Sequence, residues 1–395
     1  MSDLGSGNRA AETTGPKATR IATVIAVLAA AASLAGGAFD PDRFAFSYLV
    51  AYTFATSIAL GALFWVMAHH ASSAVWSVVV RRLLENTART LRWAVLSFAP
   101  IIFLIPRLYA WARPSSTVDR VLELKRGWLN TPRFLIAALV CLGSWAILAE
   151  LLARLSIEQD RTKNPDLTRR MRAISPPGLV LLGITTTIAA FDWLMSLDYH
   201  WYSTIFGVYF WIQSILAALA ALTLLILALQ AAGYLRDSVT KEHLHDLGKL
   251  TFGFVIFWAY VAFSQYFLIW YANLPEETAW YLNRRVPGWN GWNYLLIFGH
   301  FVIPFFVLTP RTTKRSPATM AGVAVWLLAF HYLDLYWMVM PNLTPVAPAI
   351  SWLDVSTAVA LGAGLVALVC RGCERSPLTP QGDPALAESI AFKNT

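Results

Sequence analysis

Phe191-Asp-Trp-Leu-Met-Ser-Leu-Asp-Tyr-His-Trp-Tyr-Ser-Thr-Ile-Phe-Gly207 interrupts a long apolar run with two carboxylates, a histidine and a belt of aromatic rings. The flanking segments, 175–197 and 203–232, are each long enough to cross a hydrocarbon layer, which takes about 20 apolar residues per helix. The polar turn between them therefore predicts two helices folded back across a bilayer. An ionisable group within such a helix is costly, so Asp192 is a candidate for more than packing.

The rest of the chain repeats this texture. Of 395 residues 57% are hydrophobic and only 14% charged, with 17 Trp, 14 Tyr and 22 Phe, a balance that excludes an ordinary soluble domain. Trp and Tyr suit membrane interfaces, where the ring sits among headgroups and the polar atom reaches water. Hydropathy predicts ten spans: 20–39, 45–69, 91–111, 132–154, 175–197, 203–232, 249–272, 291–309, 318–340 and 349–370. The fold expected is an all-α polytopic membrane protein. Residues 1–19 are expected to be a disordered tail and 371–395 a flexible one.

A net charge of +8 invites a nucleic-acid partner, but the distribution of the charge argues against one. If the N-terminus is inside, 22 of the 31 Lys and Arg fall on the cytoplasmic side and 9 on the other. That is the positive-inside pattern of a multi-pass inner-membrane protein with both termini cytoplasmic. The partner it implies is the lipid bilayer. Lys17 and Arg20 ahead of an Ala-rich stretch resemble a signal peptide, but a basic C-terminal tail fits retention of the first span better.

Three echoes suggest an internal duplication. Arg43–Tyr52, entering span 2, matches His200–Tyr209, entering span 6. Lys125–Asn130, before span 4, matches Pro287–Asn290, before span 8. Phe191–Met195 in span 5 matches Leu333–Met338 in span 9. Two four-helix bundles follow, spans 2–5 and 6–9, in the same orientation and flanked by spans 1 and 10.

At 1.5 Å rise per residue, Asp192 and Asp334 fall at similar depth in matching spans, in the outer part of the membrane, with Gln265 alongside. His300 falls near mid-membrane, and Asp354 near the outer start of span 10. Glu150 belongs to the inner side, and Asp198 and His200 to the outer turn. With His331 these residues are candidates for a proton pathway or a quinol site, since Asp and His chains exchange protons within membranes. The alternative for each is a hydrogen-bonded packing role.

Other chemistries lack their residues. A bis-histidine haem would have only His300 and His331 to use, iron–sulfur ligation lacks cysteines, and no phosphate-binding glycine motif occurs. Cys370-x-x-Cys373 has no second ligand pair, so free thiols are expected. The cluster His243, His245, Asp246 and Lys249 is expected to be a solvated helix start.

Ser175-Pro-Pro-Gly-Leu179, the run at 191–207, Leu247-Gly-Lys249, Phe263-Ser-Gln-Tyr266 and Asn273-Leu-Pro-Glu-Glu277 together resemble the second large membrane subunit (ActF type) of alternative complex III. That bacterial complex is a quinol:cytochrome c oxidoreductase, and the likeness covers about 35–345. The resemblance implies a polysulfide-reductase-like membrane subunit of two four-helix bundles, without its own redox cofactor. It further implies a sister membrane subunit, and partner subunits carrying haem and iron–sulfur clusters. The role implied is proton conduction and scaffolding, with a possible quinone or quinol contact. A proton-coupled secondary transporter and a purely structural membrane anchor are the competing readings.

Overall fold

The computed structural model describes residues 15–114 and 119–394. Among them nine helices are long and apolar enough to cross a membrane, and a tenth crossing is a bent pair, Val78–Ser97 and Ala99–Leu108, meeting at 57°. In chain order the spans are Gly15–Phe39, Pro41–Ala71, the bent pair, Thr131–Thr162, Asp166–Trp193, Phe206–Ala231, Lys241–Ala272, Pro287–Leu308, Pro317–Val339 and Trp352–Arg375. No strand occurs among the described residues. The chain is an all-α polytopic membrane protein, as hydropathy predicts.

Local chemistry sets many of the boundaries. Span 2 starts at Asp40, whose carboxylate accepts the Arg43 N–H at 3.0 Å, with Pro41 in the first turn. Asn130 with Pro132, and Ser316 with Pro317, start spans 4 and 9 in the same way. Lys163 at φ 54° ends span 4, and Asn164-Pro165 separates it from span 5. Span 5 then begins at Asp166, well before the apolar stretch. Between spans 7 and 8, Pro275–Leu282 forms a short helix.

Spans 2–5 pack in a closed ring, and so do spans 6–9. The rings join mainly along spans 2 and 6, where Gly61 lets the two backbones approach. Span 2 is correspondingly buried, 83% of its most apolar window against 17% for span 1. Spans 1 and 10 pair with each other and lie against span 2. Leu, Ile, Val and Phe crowd the outward faces, among them Leu28, Leu139, Val180 and Phe306. Such faces match an acyl-chain solvent and not water.

Three expectations need correction. Span 3 begins at Val78, not near 91, and Val78–Ala88 is buried throughout. Its charges read as a hydrated loop, yet Arg82 and Glu85 neutralise each other at 2.8 Å. Residues after span 10 are not a loose tail: Leu378, Thr379, Asp383 and Ser389 are buried against the basic end of the bundles. Nor is His243 solvated, because that segment covers it. Of the tail expected over 1–19, residues 1–14 lie outside the described residues and the remainder already belongs to span 1.

Candidate functional site: a buried carboxylate shared by four helices

Each helix of the second bundle contributes to one polar centre around Asp334. Tyr209 and Gln213 lie one turn apart on span 6 and so share a face. The Tyr209 hydroxyl meets both carboxylate oxygens, at 2.7 and 2.9 Å, and Gln213 Nε2 donates at 2.5 Å. Trp258 Nε1 of span 7 donates at 3.0 Å. From span 8, His300 Nδ1 stands 3.6 Å away, just beyond hydrogen-bond reach. Asp334 is 0% and His300 1% exposed.

His300 is presented by an irregular turn. Pro304 has no N–H and its ring crowds the carbonyl four residues back, which is that of His300. The helix widens into a π-turn over Ile297–Val302. Ile303 N–H then bonds Phe298 O, and the freed Gly299 carbonyl takes Trp326 Nε1 at 2.7 Å. Such turns often mark functional positions. The imidazole lies over Trp258, centroids 4.1 Å apart. His300 Nδ1 and Gln213 Oε1 have no hydrogen-bond partner among the described residues.

This arrangement holds a carboxylate without a full counter-charge. No Lys or Arg forms an ion pair with Asp334 among the described residues. Burying a charge costs several kcal/mol unless it is paired, so the donors of spans 6 and 7 carry that load. The imidazole of His300 lies within an ångström of hydrogen-bond distance of it.

Asp192, the repeat partner, is built differently. Arg133 of span 4 forms an ion pair with it, and Trp128 Nε1 donates at 3.1 Å. The Arg133 guanidinium in turn lies 3.5 Å from the Trp128 ring centre. Asp192 is one residue from the end of its helix and Asp334 five from the end of its own, so the depths differ by about one turn.

The remaining candidates do not converge on Asp334. Asp354 closes the start of span 10 by accepting Ser351 N–H at 2.8 Å, and pairs with Arg43 of span 2. His331 Nε2 meets Ser57 Oγ at 2.7 Å, joining the two bundles. Gln265 bridges Ser203 and Tyr281, each at 3.0 Å. Glu150, at the opposite end, is held by Arg89 at 2.9 Å and Arg154 at 2.8 Å. Asp198 accepts the His200 N–H at 3.2 Å, and His200 Nε2 meets Asp119 at 2.8 Å. Asp119 also takes the Tyr199 hydroxyl at 2.8 Å; chiefly through that bond its carboxyl is held down at about 2.

Tyr209, Gln213 and Trp258 are absent from the sequence-based candidates. A signal existed for the first two: polar residues four apart in the most apolar helix of the chain, mean hydropathy 2.5. Nothing in the sequence marks Trp258. No known protein family matches the chain, and no curated protein does either.

Proposed function

We propose that the chain is a membrane subunit of a respiratory quinol:electron-acceptor oxidoreductase of the alternative complex III type, without a redox group of its own. Its part is to conduct protons and to scaffold the subunits that oxidise quinol. Haem and iron–sulfur clusters belong to those partners, and a quinone or quinol contact belongs to the outer end of the helices. The setting is the bacterial inner membrane, with the basic end and both termini in the cytoplasm, as the positive-inside distribution favours.

One observation carries the proton reading. Asp334 is a buried carboxylate ringed by donors from spans 6 and 7 and faced by His300 with an unpartnered nitrogen. The wider assignment is supported by the motifs at 175–179, 191–207, 247–249, 263–266 and 273–277. Neither a family match nor a curated relative supports it.

Purification from native membranes under mild detergent tests the assembly. Haem- and iron–sulfur-bearing partners should accompany the chain, and a chain isolated alone overturns the respiratory assignment. Within an intact complex, Asp334→Asn should lower quinol turnover or proton release by roughly the 10²–10⁴ range of a lost acid–base group. Unchanged rates and stoichiometry would assign Asp334 to packing.

A further inference from the structure

At the basic end, the buried opening turn of span 3 carries a chain of charges. Arg82 pairs with Glu85 and with Asp160, both at 2.8 Å, and Arg81 pairs with Asp383. Around them several buried polar atoms have no partner among the described residues. They are both ring nitrogens of His69, Nε2 of His70, Nη1 of Arg82, Oδ1 of Asn86 and Oε1 of Gln159. Buried polar atoms are normally satisfied, and a group of them at one place is what internal water binds to.

Residues 380–394 lie across this region and touch both bundles. On the first bundle, Asp383 holds Arg81, Gly382 N–H donates to Asp160 at 2.8 Å, and Lys163 Nζ reaches Gln381 O at 2.8 Å. On the second, Asn394 bonds Asp246 at 2.9 Å and Lys249 at 3.0 Å. Ser389 joins the two. Its hydroxyl donates to Trp76 O at 2.9 Å, while its carbonyl meets His243 Nε2 at 2.9 Å. Thr240 N–H donates to His243 Nδ1 at 3.0 Å, so the ring proton sits on Nε2 and points at Ser389.

We propose that residues 380–394 are a latch that closes water access to these buried polar groups and ties the basic ends of the two bundles together. The device goes beyond the proposed function and stands without it. The segment follows span 10, and its one regular element among the described residues is the five-residue helix Leu386–Ile390. It is held at separate polar points, with Leu386 and Ile390 packed on the apolar core and the Phe392 ring 5.7 Å from that of His243. Hydrogen bonds of this kind each contribute about 1 kcal/mol net, and a segment with so little regular structure opens locally before the spans unfold.

Gly382 supplies a steric handle. A Cβ there would fall 2.1 Å from the Gln159 carbonyl oxygen, so Gly382→Ala pushes the latch off without removing a charge. Asp383→Asn weakens its ion pair instead. The reporter is the amide of Val79, at the start of its helix, which donates to Ser389 Oγ at 3.3 Å. Hydrogen exchange of the full-length protein in detergent should show this amide protected in the parent and faster in either variant, by roughly tenfold in Asp383→Asn, as expected for the loss of one charge-assisted bond. Exchange in spans 2 and 6 should not change. Unaltered protection at Val79 in both variants overturns the latch. So does loss of protection in spans 2 and 6 together with Val79, which would make the segment part of the global fold.

Discussion

Asp192 and Asp334 are buried carboxylates near the same end of spans 5 and 9, about one turn apart in depth, but among the described residues only Asp192 has an arginine. Arg133 neutralises it beside Trp128, whereas Asp334 is held by Tyr209, Gln213 and Trp258 and faces His300 at 3.6 Å. The same helical scaffold thus carries one closed ion pair and one carboxylate whose charge rests on neutral donors.

The stability consequences of the two sites differ in kind. Asp334→Leu strands three donors, each costing about 1–3 kcal/mol when left unsatisfied, and the strain of fitting a branched chain adds to that. Asp334→Asn keeps one accepting oxygen and should cost less than half as much. Thermal unfolding of the purified protein checks this order. Equal losses would mean that the donors find other partners.

Arg133→Ala leaves the Asp192 carboxylate buried with Trp128 as its remaining donor. Breaking a fully buried pair costs about 3–5 kcal/mol; Arg133 is 24% exposed, so water screens part of that here. Removing both charges, as Arg133→Met with Asp192→Leu, should recover most of the loss. A double variant no more stable than Arg133→Ala would show that the ion pair itself holds spans 4 and 5.

The architecture was legible because bilayer thickness imposes a length on every apolar run. Asp334 was legible as an ionisable group in a span. Its surroundings were not: Tyr209, Trp258 and His300 are brought together by the ring of four helices, and the π-turn follows from Pro304, which reads in sequence only as a break. Arg133 looked like a loop charge because it lies 59 residues from Asp192. The start of span 3 was missed because Arg81, Arg82 and Glu85 neutralise partners that hydropathy does not see.

At the opposite end from the latch, Asp119 ties the short helix Arg120–Lys125 to the turn at 198–202. It accepts Val121 and Leu122 N–H as well as the Tyr199 hydroxyl, and its carboxyl is held at about 2 instead of 3.8. A depressed carboxyl stabilises above its unfolded value and loses that contribution as pH falls through its folded one. The part of the tie that rests on the Asp119 carboxylate should therefore fail between about pH 4 and 2. Limited digestion with pepsin across that window should cut within 119–128 only toward the acid end. Trypsin at neutral pH should cut there in Asp119→Asn faster than in the parent. Cleavage within 119–128 as fast at pH 4 as at pH 2 would place the tie elsewhere.

The joint between the bundles makes the sharpest demand on a single residue. A Cβ on Gly61 of span 2 would stand 1.9 Å from the Ser214 carbonyl oxygen of span 6 and 2.7 Å from the Ala218 side chain. Backbone cannot yield as a flexible side chain does, so Gly61→Ala must move one helix. Overpacking a well-filled interior costs about 1–3 kcal/mol, and a rigid obstacle puts this position at the upper end. Gly143 and Gly183 meet nothing within 4 Å. Alanine at either should be neutral or stabilising by up to about 1 kcal/mol through helix propensity. Melting temperatures of the three single variants decide the matter: Gly61→Ala alone should fall by several degrees. Parity among them would mean that spans 2 and 6 are not the joint that holds the two bundles together.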